Sequence, residues 1–309
     1  MEKSDAFPPF SSFCHKNTAL WEFLLERMEI LKTPSDVQAK CQKWRSLGET
    51  ICLVPTMGYY HAGHEDLMAY GRTLCDHLVV SLFVNPTQFG PTEDLANYPR
   101  DHARDSAIAE KHGCDLLFMP EPKDMYCDDH ATWVEVPTMS KVLCGVSRPI
   151  HFRGVCTVVL KLFHISCATD AVFGQKDWQQ QAILQRMVRD LNVPIHLHTR
   201  PTVREADGLA LSSRNVYLSP EERAQAPKIY EGLLFAKDVV QSGERSVPRL
   251  RERVLKKWAQ EIPLGRLDYL AVVDPVSLES LETIEDRALM ACAVRLGKAR
   301  LIDNILLSC

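Results

Sequence analysis

No apolar run in this 309-residue sequence approaches the ~20 residues that a membrane-spanning helix needs, so a helical membrane protein is excluded. The opening stretch, MEKSDAFPPFSSFCHKN, lacks the apolar segment of a secretory signal, and a cytoplasmic location is expected. An excess of positive charge is missing too. The formal net charge is −4, and no stripe of Lys and Arg interleaved with aromatics occurs, so neither nucleic acid nor an anionic membrane is an expected partner. The 11 cysteines are scattered and include no Cys-x-x-Cys pair. Cys52, Cys75, Cys156, Cys167 and Cys292 sit inside apolar stretches, which reads as reduced packing residues rather than a zinc site or a disulfide framework. Two nucleotide signatures are also absent. No Gly-x-Gly-x-x-Gly follows the first strand, and no Gly-x-x-x-x-Gly-Lys-Ser/Thr occurs, which disfavours dinucleotide dehydrogenases and P-loop enzymes.

What is present is a globular chain, 46% hydrophobic and 25% charged, long enough for two domains. Residues 1–25 read as an N-terminal extension. TPSDVQAKCQKWRSLG reads as a helix capped by Ser or Asp and closed by Gly48. Strands are expected at 50–55, HLVVSLFV, DLLFMP, DAVFGQKD (ending in a polar loop) and IHLHTRPTV; helices are expected over HEDLMAYGRTL, DHARDSAIAEKHG, FRGVCTVVLKLFHISC and QQQAILQRMVRDLN. This alternation indicates an α/β domain over 26–200, a Rossmann-like, doubly wound parallel sheet. After residue 200 the pattern changes. SPEERAQAPKIYEGLLFAKDVVQSGE and SVPRLRERVLKKWAQEI read as amphipathic helices, and LDYLAVVD and ALMACAVRLGKARLIDNILL as strands with LGKA as a hairpin turn. A smaller α+β domain, a lid over 201–309, is expected.

In a doubly wound sheet, ligands bind beyond the carboxyl ends of the strands, and four polar clusters fall on such ends. The first is Thr56-Met57-Gly58 with His61, Gly63 and His64, where a strand gives way to a helix. A helix N-terminus offers free N–H groups to a phosphate, glycine lets a ligand approach the backbone, and imidazoles can donate to developing charge. The second, FVNPTQFGPTEDLANYPRD, presents Asn85 and Gln88, neutral amides suited to hydroxyls or a carboxylate; a Pro-rich surface turn would account for it equally. The third, VFGQKDWQQ, places Lys176 and Asp177 after Gly174 and opens a helix at Gln179 and Gln180. The fourth, TVREADGLALSSRNVYL, offers Ser212, Ser213 and Arg214 to a polyphosphate. A solvated Lys-Asp turn and simple serine capping are the alternatives for the last two. His151 and Arg153, just before a helix, could approach an anion by the same argument.

Taken together, PTMGYYHAGH, FVNPTQFGPTEDLANYPRD, HFRGVCTVVLKLF, FGQKDWQQ and READGLALSSRNVYL, in this order and spacing, resemble the pantothenate synthetase (pantoate–β-alanine ligase) family. HAGH resembles the His-x-Gly-His signature of the nucleotidylyltransferase superfamily, and LSSRN its second, Lys-Met-Ser-Lys-Ser-type signature. The resemblance implies that pantoate is activated by ATP, with Mg2+, to pantoyl adenylate, which β-alanine captures with release of AMP; no tightly bound organic cofactor is implied. By the same resemblance Met57, Gly58, Tyr59, Tyr60, His61, Ala62, Gly63 and His64 would cradle ATP, with His64 donating a proton and His61 beside it. Gly174, Gln175, Lys176, Asp177, Val203, Leu211, Ser212, Ser213 and Arg214 would complete the ATP site, Lys176 and Arg214 neutralising the departing pyrophosphate. Gln88 and Gln180 would hold pantoate, Gln88 also facing β-alanine, and Asp105 matches an acidic position near the metal and phosphates. A homodimer is implied. The chain departs from the family pattern at Gln175, where Glu is usual, at Leu211, where Met is frequent, and at Arg104, often acidic. An adenylyltransferase of NAD or coenzyme A synthesis is the competing enzyme, but it would bind a phosphorylated acceptor, which the amides Gln88 and Gln180 suit less well. A synthetase-like RNA-binding module is the competing non-enzyme.

Overall fold

The computed structural model of the chain describes residues 28–91 and 93–309; the extension over residues 1–25 lies outside them. A six-stranded, wholly parallel sheet is built from β1 (Glu29–Leu31), β2 (Ile51–Thr56), β3 (His77–Leu82), β4 (Leu116–Phe118), β5 (Asp170–Gly174) and β6 (His196–Arg200), in the order β1-β4-β3-β2-β5-β6. The helices between them are α1 (Pro34–Ser46), α2 (Ala62–Arg72), α3 (His102–Lys111), α4 (His151–Ser166) and α5 (Trp178–Asp190). The inner strands read as apolar runs because helices cover both faces; Ile51, Cys52, Leu53 and Val54 of β2 are all buried. Strand order reverses between β2 and β5, the place where such sheets open a crevice beyond their carboxyl ends.

The second unit holds α6 (Lys228–Gln241) and α7 (Val247–Glu261) over an antiparallel sheet of β7 (Gly265–Val273), β8 (Arg287–Leu296) and β9 (Ala299–Ser308). Gly297 and Lys298 turn the β8–β9 hairpin, with Gly297 at φ +53°. This sheet also packs onto the first unit, since Val273, Leu278, Leu289 and Ala291 join the buried cluster that contains Phe163, Phe173 and Ile183. Trp178 Nε1 donates to Pro275 O at 2.9 Å across the same contact.

Three local expectations are corrected. The cap of α1 is Thr33, whose hydroxyl accepts from the amide of Asp36, rather than Ser35 or Asp36 itself. The helix expected over SPEERAQAPKIYEGLLFAKDVVQSGE divides into a short turn, Pro220–Gln225, and α6, because Pro227 has no N–H to continue the helix and its ring crowds the preceding turn. Strand β1 was not expected; it is three residues long with two of them exposed, too short to carry a period.

Candidate functional site

All four polar clusters meet. Because the sheet is parallel, the carboxyl ends of β2, β3, β5 and β6 open onto one side, and a cleft of about 810 Å³ there is lined by Met57, His61, Gly63 and His64, by Asn85 and Gln88, by Gly174, Lys176, Asp177 and Gln180, and by Val203, Leu211, Ser212, Ser213 and Arg214. The second unit closes the cleft with Arg295, Lys298, Arg300 and Ile302.

The two histidines begin α2. His61 is its N-cap, and its Nδ1 accepts from the amide of Gly63 at 3.1 Å; His64 Nδ1 accepts from the amide of His61 at 3.3 Å. These are the reciprocal bonds of a capping box, made here by imidazoles in place of the usual hydroxyl and carboxylate. The rings lie 4.1 Å apart between centroids. An amide N–H can only donate, so both Nδ1 atoms are unprotonated and each ring carries its proton on Nε2. Burial, reinforced by the Lys176 and Arg104 charges, depresses the His61 pKa to about 4; burial and then His61 push His64 well below its ordinary value. Two neutral N–H donors thus stand at a helix N-terminus.

The turn that aims α2 is held from beneath. Gly58 has φ +85° and Tyr59 φ +52°, and this pair of left-handed residues turns the amides of Tyr59 and Tyr60 onto the Asp105 carboxylate at 2.6 and 2.8 Å. A Cβ on Gly58 would stand 3.0 Å from Asp105 Oδ2, so glycine is required by space as well as by conformation. Asp105 is fully buried with both oxygens engaged, and it holds the loop rather than facing a metal. Arg104 donates to Tyr60 O at 2.9 Å and lies over the Tyr59 ring, which gives a structural task to a residue that departs from the family pattern.

Gln88 is buried, and its Oε1 accepts from Asn85 Nδ2 at 2.9 Å, which also donates to Gly154 O. Helix α4 approaches this turn so closely that a Cβ on Gly154 would meet Thr87 O at 2.4 Å. His151 Nδ1 lies 3.0 Å from Gln88 O; a carbonyl only accepts, so Nδ1 carries the proton, the opposite tautomer from His61 and His64. Burial and the Arg148 charge lower its pKa to about 3. Gln180 lines the cleft and, among the described residues, has no side-chain partner, whereas Gln179 is spent on the Cys144 amide and the Met139 and Val142 carbonyls.

Lys176 Nζ donates to Leu211 O at 3.0 Å, and Asn304 Nδ2 grips the carbonyls of Gln175 and Lys176 at 3.1 and 2.9 Å. Burial lowers the lysine pKa, with Asp177 opposing. Arg214 is bidentate to Asp94 at 3.0 Å on both arms, Tyr98 Oη pairs with Ser213 Oγ at 3.1 Å, and Tyr217 donates to Asn97 O. The segment 202–218 is therefore fastened to residues 94–98 across the cleft.

Some expected residues do not face the cleft. Gly58, Tyr59, Tyr60, Ala62 and Gln175 are absent from its walls. Tyr60 is a core residue, 1% exposed, because the left-handed turn swings its ring inward to Thr56. Arg153 does not approach an anion site but stacks on Trp133, 4.7 Å from the ring centroid. Residues not expected at the site are Arg148, Arg295, Lys298 and Arg300. Arg148 is bound to Glu93 and reaches Gln88 O. The others lie on β8, on β9 and in the turn between them; VRLGKARLI reads as a hairpin, but nothing in it says that the hairpin walls a cleft.

The depressed imidazoles have a consequence for stability. In the unfolded chain a histidine takes up its proton near pH 6.5, whereas His61 does so only at about 4 and His151 at about 3. Between those limits the unfolded chain binds more protons, so stability rises with pH, by up to about 1.4 kcal/mol per pH unit for each histidine. Denaturant midpoints are expected to fall steadily as pH is lowered from 6.5 toward 4, with a shallower slope in His151→Asn. A midpoint that stays flat across this window would contradict neutral, buried imidazoles.

The sequence pattern of the family described as Pantoate-beta-alanine ligase matches residues 29–306. The chain is 69% identical over 280 residues to the pantothenate synthetase of Desulfovibrio desulfuricans, covering 91% of this chain and 99% of that one. It is 59% identical over 281 residues to that of Nitratidesulfovibrio vulgaris, with 91% and 99% covered. Among solved structures it is similar to the pantothenate synthetase of Thermus thermophilus (TM-score 0.85, 43% identity, 90% of this chain and 99% of that one). It is also similar to a pantoate-beta-alanine ligase from Francisella tularensis complexed with beta-gamma ATP and beta-alanine (TM-score 0.73, 31% identity, 90% and 97% covered).

Proposed function

This chain belongs to the pantoate–β-alanine ligase family, and from that premise we propose how its own residues join (R)-pantoate to β-alanine. The reaction is the ATP-dependent formation of pantothenate by way of pantoyl adenylate, with release of pyrophosphate and then AMP. The observation that carries the residue assignment is the convergence of two neutral imidazole donors, a half-buried lysine and two amide side chains on one cleft at the sheet's switch point.

In the first step the pantoate carboxylate attacks the α-phosphorus of ATP. The Nε2–H groups of His61 and His64, the free amides at the start of α2 and the Lys176 ammonium lie where charge grows on the phosphates, and fixed donors lower such a barrier most effectively in a water-poor cleft. Arg214, now neutralised by Asp94, exchanges that partner for pyrophosphate. Gln88 and Gln180 orient the uncharged hydroxyls of pantoate. In the second step the β-alanine amine attacks the acyl carbon and AMP departs. Magnesium would travel with the ATP phosphates and commonly keeps several of its waters. Asp105 does not fit as a ligand, its oxygens being engaged by the Tyr59 and Tyr60 amides, and no step here runs through the ion. Kinship also leads us to propose a cytoplasmic homodimer, which light scattering on the purified chain checks for mass.

The adenylate must be kept from water until the amine arrives. The lid expected over 201–309 is narrowed in this proposal to the segment 202–218, because moving the whole second unit would break the apolar contact between the two sheets. ATP with pantoate is expected to slow hydrogen exchange across 202–218 and 94–98 together; identical exchange with and without substrates would count against closure. The reaction itself is tested by incubation with ATP, Mg2+, pantoate and β-alanine. AMP formed only when both organic substrates are present supports the assignment, and ADP as the product would sink it.

A further inference from the structure

The C-terminal sheet carries an arrangement that the reaction described above leaves unused. Arg266 on β7, Arg295 on β8 and Arg300 on β9 are directly opposite one another in register, so their side chains share one face, and like charges so placed repel. Arg300 is neutralised by Asp268 at 2.7 Å. Arg295 and Lys298 are exposed, line the cleft, and among the described residues form no ion pair. The Glu222 carboxylate lies against Gly297 in the same turn, yet Arg266, Arg295 and Lys298 still leave a local excess of cations on a chain of formal charge −4, which marks a place that takes an anion.

Its position selects the anion. Arg300 Nη2 reaches Ser147 Oγ at 3.4 Å, and the neighbouring Arg148 reaches Gln88 O at 3.3 Å, so the row opens beside Gln88. Asn304, the residue of β9 that holds the Lys176 backbone, lies four positions further on, roughly 13 Å away along the strand at 3.3 Å per residue. The phosphates belong to that far end. Of the two organic substrates, pantoate loses its carboxylate charge on adenylation, whereas β-alanine keeps its carboxylate through to the product. We propose that Arg295 and Lys298 form a receptor for the carboxylate of the incoming amino acid. They would hold it at the mouth of the cleft while its amine reaches the acyl carbon. This rests on the ligase reading above and adds a substrate contact to it.

The test uses the full chain with Arg295→Gln and Lys298→Gln, both at exposed positions where folding is unaffected. Each is expected to raise KM for β-alanine about tenfold, the cost of losing one charge-assisted bond, with kcat and the KM values for ATP and pantoate changed less than about twofold. Propylamine, which lacks the carboxylate, should capture the adenylate equally well in wild type and variants. An unchanged KM for β-alanine in an otherwise active enzyme overturns the receptor alone, and a raised KM for ATP overturns it in favour of a phosphate contact. Wild-type protein that makes no pantoyl adenylate overturns the ligase reading and the receptor with it.

Discussion

Lys176→Ala is expected to slow pyrophosphate release from ATP and pantoate by about 10²- to 10³-fold, the usual loss when one fixed electrostatic contact to a transition state is removed. Amine capture of preformed adenylate should change far less. The reason lies in when the charge exists. In the first step negative charge moves onto the leaving pyrophosphate, and a cation beside it lowers the barrier; in the second step the pyrophosphate has gone and the attacked centre is an acyl carbon. The native setting sharpens the expectation. Lys176 is drawn into the cleft with one hydrogen bond, to Leu211 O, and burial works against its charge. Relief of a cation whose charge burial opposes offsets the loss of its one hydrogen bond, so the variant should melt close to the wild-type temperature. Single-turnover kinetics of the two steps decide the matter. Equal slowing of both would mean that the lysine serves the loop, through Leu211, rather than the phosphates.

The site was legible in the sequence wherever a cluster followed a strand, because a parallel sheet sends every carboxyl end to one side and the chain need not be folded in detail to see it. Met57, His61, Gly63 and His64, Gly174, Lys176 and Asp177, and Ser212 to Arg214 follow strands in this way and line the cleft; Tyr59, Tyr60, Ala62 and Gln175 were expected by family resemblance alone and do not. A single turn is finer than any sequence period resolves. Consecutive left-handed residues at Gly58 and Tyr59 decide that Tyr60 enters the core and that Asp105 faces two amides, and no periodicity announces such a turn. The C-terminal cations were out of reach for a different reason. Which face of β8 and β9 meets the cleft depends on how Leu289 and Ala291 pack into the first unit's core, a contact more than 100 residues distant in sequence. The proline at 227 is plain in the sequence, but the amphipathic pattern runs across it and masks the break it makes in the helix.

His64→Ala is expected to leave a folded protein that forms pantoyl adenylate about 10²-fold more slowly at saturating ATP, the loss typical of one preorganised donor. Two effects are combined in that substitution, and the structure shows how to separate them. His64 Nδ1 accepts the amide of His61 and so caps α2, while the residue also lines the cleft and keeps Nε2–H free to donate there. Losing the cap should cost about 1 kcal/mol of stability. Glutamate at the same position is the ordinary partner in a capping box, so His64→Glu should recover that stability. It places an acceptor and a negative charge beside the phosphates, where a neutral donor is needed, and the rate should stay as low as in His64→Ala or fall further. Stability and rate thus move apart in the glutamate variant if the donor matters for chemistry, and rise together if capping is all that His64 does. A His64→Ala enzyme whose turnover stays within about threefold of wild type would remove the catalytic assignment altogether, since a lost donor at a transition state costs more than that.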